Sequence, residues 1–218
     1  VIGIWFWKRQ PETLHLEYKI PFTSHVFIDG LKELIRYKET IACTMISGLI
    51  TGAFLVYLSS AQHVFEDQYN LKDTFPYLFA ALAVSIGLST FLNGTLVLRF
   101  GMRKLAFIAL LLFTSLSLTY VVFFYGSSNP SILVLMIFLS LIFFCLGFIW
   151  GNMRSIAMEP IGHIAGIGAA ITGFISTLVS IPIATYIGSF ITDTVLPLFI
   201  GLGICGICAI IYLLIRFL

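Results

Sequence analysis

Six long apolar runs constrain this chain more than any other feature. They lie at 41–59, 76–98, 105–125, 131–153, 164–190 and 195–215, and each is 19 to 27 residues long. A helix needs roughly 20 apolar residues to cross about 30 Å of hydrocarbon. Runs of this length without period-two alternation are not barrel strands. The breaks between them carry turn or charge signals: Glu66-Asp67, Lys72-Asp73, Arg99 to Lys104, Ser127 to Pro130, Arg154 to His163, and Asp193. At each break the backbone reaches water, which satisfies its polar groups. The expected fold is all-α, a polytopic membrane protein with a six-helix transmembrane domain over 41–218.

Composition closes the alternatives. Of 218 residues only 10% are charged and 59% are hydrophobic, with a mean hydropathy of +1.04. Soluble domains average about 25% charged, and so few charges cannot cover a soluble globule. An ordinary soluble enzyme, a disordered chain and a nucleic-acid binder are excluded. The net charge of +2 is too small to call for a polyanionic partner.

The few charges alternate by side. Residues 8–40 carry Lys8, Arg9, Lys19, Lys32, Arg36 and Lys38, and the loop 99–104 carries Arg99, Arg103 and Lys104. With Arg154 and Arg216, eleven of the 12 basic residues fall on one side of a six-span layout. The other side holds Lys72 with Glu66, Asp67, Asp73 and Asp193. Basic loops stay cytoplasmic, so the C-terminus is expected there. Val1 to Trp7 is apolar but too short to span, and reads as the end of a preceding transmembrane helix with Trp5 and Trp7 at the interface. Between it and the first full span, 8–40 reads as a cytoplasmic linker. Within it, Val26, Phe27, Leu31, Leu34 and Ile35 alternate with Asp29, Lys32, Glu33, Arg36 and Glu39, the pattern of an amphipathic surface helix.

Catalytic and cofactor signatures are missing. The chain has no phosphate-cradling Gly-x-x-x-x-Gly-Lys-Ser/Thr, no His-Glu-x-x-His and no Gly-x-Ser-x-Gly. Cys43, Cys145, Cys205 and Cys208 all fall in apolar runs and read as small packing residues. Glu159 and His163 are four apart, but Pro160 interrupts them, and no metal site is expected. No enzyme activity and no cofactor is expected. No charged residue falls clearly inside a span, so no proton relay is legible in this chain.

Uncharged polar and small residues carry what functional signal there is. Thr44, Ser47 and Thr51 share one face of the first span, followed by Phe54 and Tyr57. Ser85, Ser89 and Asn93 recur every four residues in the second span. Thr172, Ser176, Ser180 and Tyr186 lie along the fifth, beside Phe174. Such groups avoid lipid and face protein or a watery cavity. Thr44, Ser47, Thr51, Phe54, Tyr57, Ser85, Ser89, Asn93 and Phe174 are the candidates for a solute cavity, with interhelical hydrogen bonding as the alternative for each. Gly48 and Gly52, and Gly162, Gly166 and Ala170, are small residues at four-residue spacing, which favours close helix packing. Pro182 removes a hydrogen bond in the fifth span and is expected to bend it.

Three segments carry a resemblance. Gly94-Thr95-Leu96-Val97-Leu98-Arg99-Phe100-Gly101-Met102-Arg103-Lys104 resembles the signature cytoplasmic loop of the major facilitator superfamily, Gly-x-x-x-Asp-Arg-x-Gly-x-Arg-Arg. Leu98 stands where the pattern has Asp, a departure common in the second copy of this loop. Arg9-Gln10-Pro11-Glu12-Thr13-Leu14 is similar to the segment after the sixth span of twelve-span drug/proton antiporters. Asn152 to Gly173, with Ala157-Met158-Glu159-Pro160-Ile161-Gly162-His163, resembles the junction of spans ten and eleven in the Bcr/CflA drug-resistance subfamily, and Phe54 to Phe65 with Asn93 adds to that likeness.

The resemblance implies the C-terminal half of such a fold in a bacterial inner membrane. It implies proton-driven export of small amphipathic drugs by alternating access. The implied partners are the bilayer, a small solute, protons and an N-terminal six-helix half. Gly94, Arg99, Gly101, Arg103 and Lys104 would act in gating. The alternatives are an exporter of one metabolite, such as a siderophore or an amino acid derivative, and a non-transporting membrane scaffold.

Overall fold

The computed structural model describes residues 2–11 and 24–217. Among them all regular structure is helical: α1 (Ile2–Arg9), α2 (Ser24–Arg36), α3 (Lys38–Gln62), α4 (Phe75–Phe100), α5 (Met102–Phe124), α6 (Ile132–Met158), α7 (Ala165–Gly188) and α8 (Leu196–Phe217). A π-helical turn, His63–Gln68, extends α3, and a 3-10 turn, Glu159–Ile164, joins α6 to α7. The Arg9 to Leu14 segment lies partly outside the described residues.

Among the described residues five continuous helical stretches are long and apolar enough to cross a membrane. One of them, Ile132–Gly188, has 57 residues, which as a single rod would reach roughly 85 Å. It is two helices. Ile161 leaves helical geometry (φ −111°, ψ 22°), and the neighbours show a reversal there. Ser176 of α7 donates to the Thr44 carbonyl of α3 at 3.1 Å. Further along, Gly48 lies under Val179 and Gly52 under Ile183. The numbers rise together, so α3 and α7 run parallel. Against α6 they run the other way: Phe54 meets Trp150, and Tyr57 meets Phe143. The same test makes α4 parallel to α6 through Ser89–Gly147 and Asn93–Gly151. It makes α5 antiparallel to α8 through Tyr120–Phe199 and Thr114–Gly206. The six long helices therefore alternate in direction. One end of the bundle gathers Lys38, Arg99, Arg103, Lys104 and Arg154 (the basic end). The other gathers Glu66, Asp67, Asp73 and Asp193 (the acidic end).

The core is a ring of α3, α6, α5 and α8, filled by Ile46, Ile50, Leu110, Phe113, Phe143, Leu146 and a Tyr120–Phe199 stack at 3.5 Å. In lipid the hydrophobic effect does not pull helices together, so close packing must. Glycine provides it. A Cβ on Gly48 would stand 2.9 Å from Val179 Cβ, and one on Gly52 would stand 3.1 Å from the Ser180 Cα. Gly147 accepts α4 in the same way, and Gly201, Gly203 and Gly206 fit α8 against α7 and α5. By contrast α4 buries only Leu82 and Ser89. Its outer side, with Tyr77, Val84, Leu88 and Phe91 exposed, is apolar.

Two expectations are corrected. The amphipathic helix ends at Arg36, because Tyr37 is extended (φ −96°, ψ 99°), so Glu39 belongs to α3. This helix, α2, packs Gly30 on Ile167 and buries Leu34 with Ile161 and Ile171, leaving Phe27, Ile28 and Ile35 exposed. Second, Gly162, Gly166 and Ala170 are exposed, and nothing among the described residues lies within 4 Å of a Cβ built on either glycine. Gly162 falls in the 3-10 turn, and the Gly166–Ala170 row points away from α3. Gly168 is the packed glycine of this stretch, against Ile161 of the 3-10 turn and Met158 of α6. Pro182 lies on the exposed side of α7, which is helical throughout.

Candidate functional site

Helical spacing puts Thr44, Ser47 and Thr51 on one stripe of α3. That stripe opposes Arg154, Ala157 and Met158 of α6 and Ala169, Thr172, Gly173 and Ser176 of α7. Together they line a polar trench of about 160 Å³. The small residues Ala157, Ala169 and Gly173 make the space. Most hydroxyls here are already bonded to backbone. Thr44 Oγ1 donates to the Thr40 carbonyl at 2.7 Å, Thr172 Oγ1 to Gly168 at 2.8 Å, and Ser176 Oγ to Thr44 across the helix pair. Ser47 differs. It is only 6% exposed, and its Oγ has no partner among the described residues. A buried hydroxyl without a partner is costly, and this one lines the trench. Arg154 stands at the basic end with its residue exposed. Among the described residues no acidic side chain pairs with it.

The same stripe of α3 continues to Phe54. Its ring stands edge-on to Trp150 at 4.9 Å and to Phe143 at 5.4 Å. Tyr57 lies edge-on to Phe143 at 4.7 Å and stacks on Phe79 of α4. Tyr57 Oη and Trp150 Nε1 are buried without partners. Trp150 precedes Arg154 by one turn of α6. The wall formed by α3 and α6 therefore passes from cationic and hydroxylic at the basic end to aromatic further in.

The other cavity candidates lie elsewhere. Ser89 is buried against Gly147 and donates to the Ile86 carbonyl at 2.9 Å. Asn93 and Asn152 exchange side-chain amide bonds of 2.7 and 3.4 Å across α4 and α6. Ser85 is half-buried, with its hydroxyl 3.5 Å from the Ala81 carbonyl. Ser89 and Asn93 serve the α4–α6 seam, Ser85 bonds within α4, and none of the three lines the trench. Phe174 is 57% exposed on the outer side of α7.

The expected gating loop is a two-helix turn. Gly101 joins α4 to α5 at φ 79°, a conformation that L side chains rarely adopt. Arg103 at the start of α5 pairs with Glu39 of α3 at 2.7 Å. This ties two helix starts together at the basic end. Leu98, in the place of the pattern's Asp, is 88% exposed and locks nothing. Arg99 and Lys104 flank the Phe100 ring at 5.3 and 5.9 Å. Gly94 has open space around it.

At the acidic end a polar clasp joins three connections. His63 places Nδ1 2.8 Å from Asp67 Oδ2 and Nε2 2.7 Å from the Thr192 carbonyl. Gln68 donates to the same carbonyl at 3.0 Å and accepts from Asn129 at 3.0 Å. Asn129 in turn accepts from the Val195 N–H at 2.9 Å.

Sequence reasoning missed Arg154, read only as a topology charge, and Asn152. It also missed the packing glycines Gly147 and Gly151, whose four-residue spacing on α6 was a usable signal. Cys43, Cys145 and Cys205 are buried as expected, but Cys208 is exposed, because its side of α8 faces outward. Among the described residues no group of His, Cys, Asp or Glu is placed to hold a metal ion.

No family model and no solved structure matches the chain. The chain is 25% identical over 187 residues to the protein described as uncharacterized MFS-type transporter YdgK of Bacillus subtilis (strain 168). The match covers 83% of this chain and 44% of that relative, so the chain spans less than half the length of the transporter it is distantly related to.

Proposed function

We propose that this chain forms one six-helix half of a secondary transporter working by alternating access. In that reading the basic end is cytoplasmic, and Val1 to Trp7 ends the preceding span. The trench faces a second set of six helices across the membrane midplane. The observation that carries it is the trench itself: an open groove lined by hydroxyls and Arg154 between long apolar helices. A scaffold has no use for a buried, unpartnered Ser47 hydroxyl beside an open groove. The distant MFS-type relative, more than twice the matched length, supports a transporter over an enzyme. The unoccupied glycine face of α4 (Gly87, Gly94) supplies close-packing surface for the second half. The resemblance of the 94–104 loop and the 152–173 junction points to proton-driven drug export of the Bcr/CflA type.

The test is efflux from drug-sensitive cells expressing the full-length protein. Reduced accumulation of at least one amphipathic compound, abolished by a protonophore, is expected. Unchanged accumulation across a broad panel would count against export.

A further inference from the structure

We infer that the trench takes solutes bearing an anionic group, and that Arg154 and Ser47 recognise it. This rests on the transport reading above. The inference comes from what the trench offers a ligand. Thr44, Thr172 and Ser176 have already spent their hydroxyl protons on backbone carbonyls. The donors left over are the Ser47 hydroxyl, buried and without a partner, the Thr51 hydroxyl and the Arg154 guanidinium. Among the described residues no acidic side chain lines the trench. A cation desolvated here would meet Arg154 with no carboxylate to offset it, and like charges at close range in a low dielectric repel strongly.

A carboxylate, phosphate or sulfonate fits these donors. The guanidinium fork gives it two parallel, charge-assisted bonds, and Ser47 adds a third donor one turn further in. Further along the same two helices stand Phe54 and Trp150, rings 4.9 Å apart, against which an apolar ring system entering from the trench would pack. The trench's polarity thus runs head to tail: anionic head at the basic end, aromatic body toward the middle. The class of solute is an amphipathic organic anion.

The experiment uses inverted membrane vesicles containing the full-length protein, with two dyes of one xanthene scaffold and opposite charge. Carboxyfluorescein is the anionic probe and rhodamine 123 the cationic one. Uptake of carboxyfluorescein is expected in preference. Arg154→Gln should raise its KM about tenfold, and Arg154→Lys should retain part of the affinity, since the charge stays but the fork is lost. Ser47→Ala should raise KM about threefold. A residue that only set membrane orientation would change the amount of inserted protein and leave KM alone. Vesicles that prefer rhodamine 123, with Arg154→Gln neutral or faster, overturn the anion assignment and leave the transport reading standing. Vesicles that move neither dye, nor any compound of a broad amphiphile panel, overturn both.

Discussion

His63 Nε2 lies 2.7 Å from the carbonyl oxygen of Thr192, a residue 129 positions later in the chain. The contact fastens the C-terminal end of α3 to the α7–α8 connection, and so joins, at the acidic end, the two parallel helices that line the trench at the basic end. Its other nitrogen faces Asp67 at 2.8 Å. A carbonyl and a carboxylate are both acceptors, and a neutral imidazole has one N–H. Both bonds form together only on the imidazolium, with Asp67 and Asp193 the nearby negative charges and Gln68 sharing the carbonyl.

The clasp should therefore hold below neutrality and slacken as pH rises through the histidine range. For the full-length protein in detergent, His63→Ala should lower the melting midpoint by about 2 °C at pH 5.5 and by less at pH 8.5. An equal loss at both values would show that the ring charge has no part in the clasp.

The α3–α7 seam should punish added volume at one pair of glycines and not at another. Gly52→Val has no room beside the Ser180 Cα and Ile183, and should cost about 1–3 kcal/mol. Gly166→Val meets open space in this half and should leave the stability of the six-helix bundle within about 0.5 kcal/mol. Thermal unfolding of the two variants separates the seam from the free face.

Asn93 and Asn152 should be coupled. In a double-mutant cycle with Asn93→Leu and Asn152→Leu, the interaction energy should be about 0.6–1.7 kcal/mol, the range of side-chain hydrogen bonds between membrane helices. Additive losses would mean that each amide acts alone.

The Arg103–Glu39 pair should act as a unit in transport. Glu39→Gln and Arg103→Gln are each expected to slow turnover by a similar factor of roughly three to ten, with the double variant no worse than the singles. Multiplicative losses would show two independent roles. Leu98→Asp should not rescue either, because the side chain at 98 is 88% exposed.

How much of this was legible in the chain depended on which neighbour decides. The long helices follow from apolar length and from where the charges break it, both local properties. The trench was half legible. Thr44, Ser47 and Thr51 share a stripe by periodicity alone, but which helix they oppose is a tertiary fact. Arg154 therefore read as a loop charge until α6 proved to run four residues past it. Ser89 and Asn93 show the same limit, since a polar stripe looks alike whether it lines a cavity or bonds a neighbour. The glycines repeat the lesson. Gly48–Gly52 and Gly162–Gly166 have identical spacing, yet only the first pair meets a helix, because Ile164 leaves helical geometry (φ −118°, ψ 33°) between Gly162 and Gly166 and puts Gly162 in the 3-10 turn.

The most direct test of transport through the trench is solute movement by the full-length protein in proteoliposomes under an imposed pH gradient, comparing the native sequence with Thr51→Trp. An indole at this position would project into the trench that Thr51 lines and obstruct it. The native protein is expected to move an amphipathic dye against its gradient, and Thr51→Trp to abolish this with an unchanged melting midpoint. Transport by Thr51→Trp at the native rate, or no movement by the native protein above that of empty liposomes, would contradict the account.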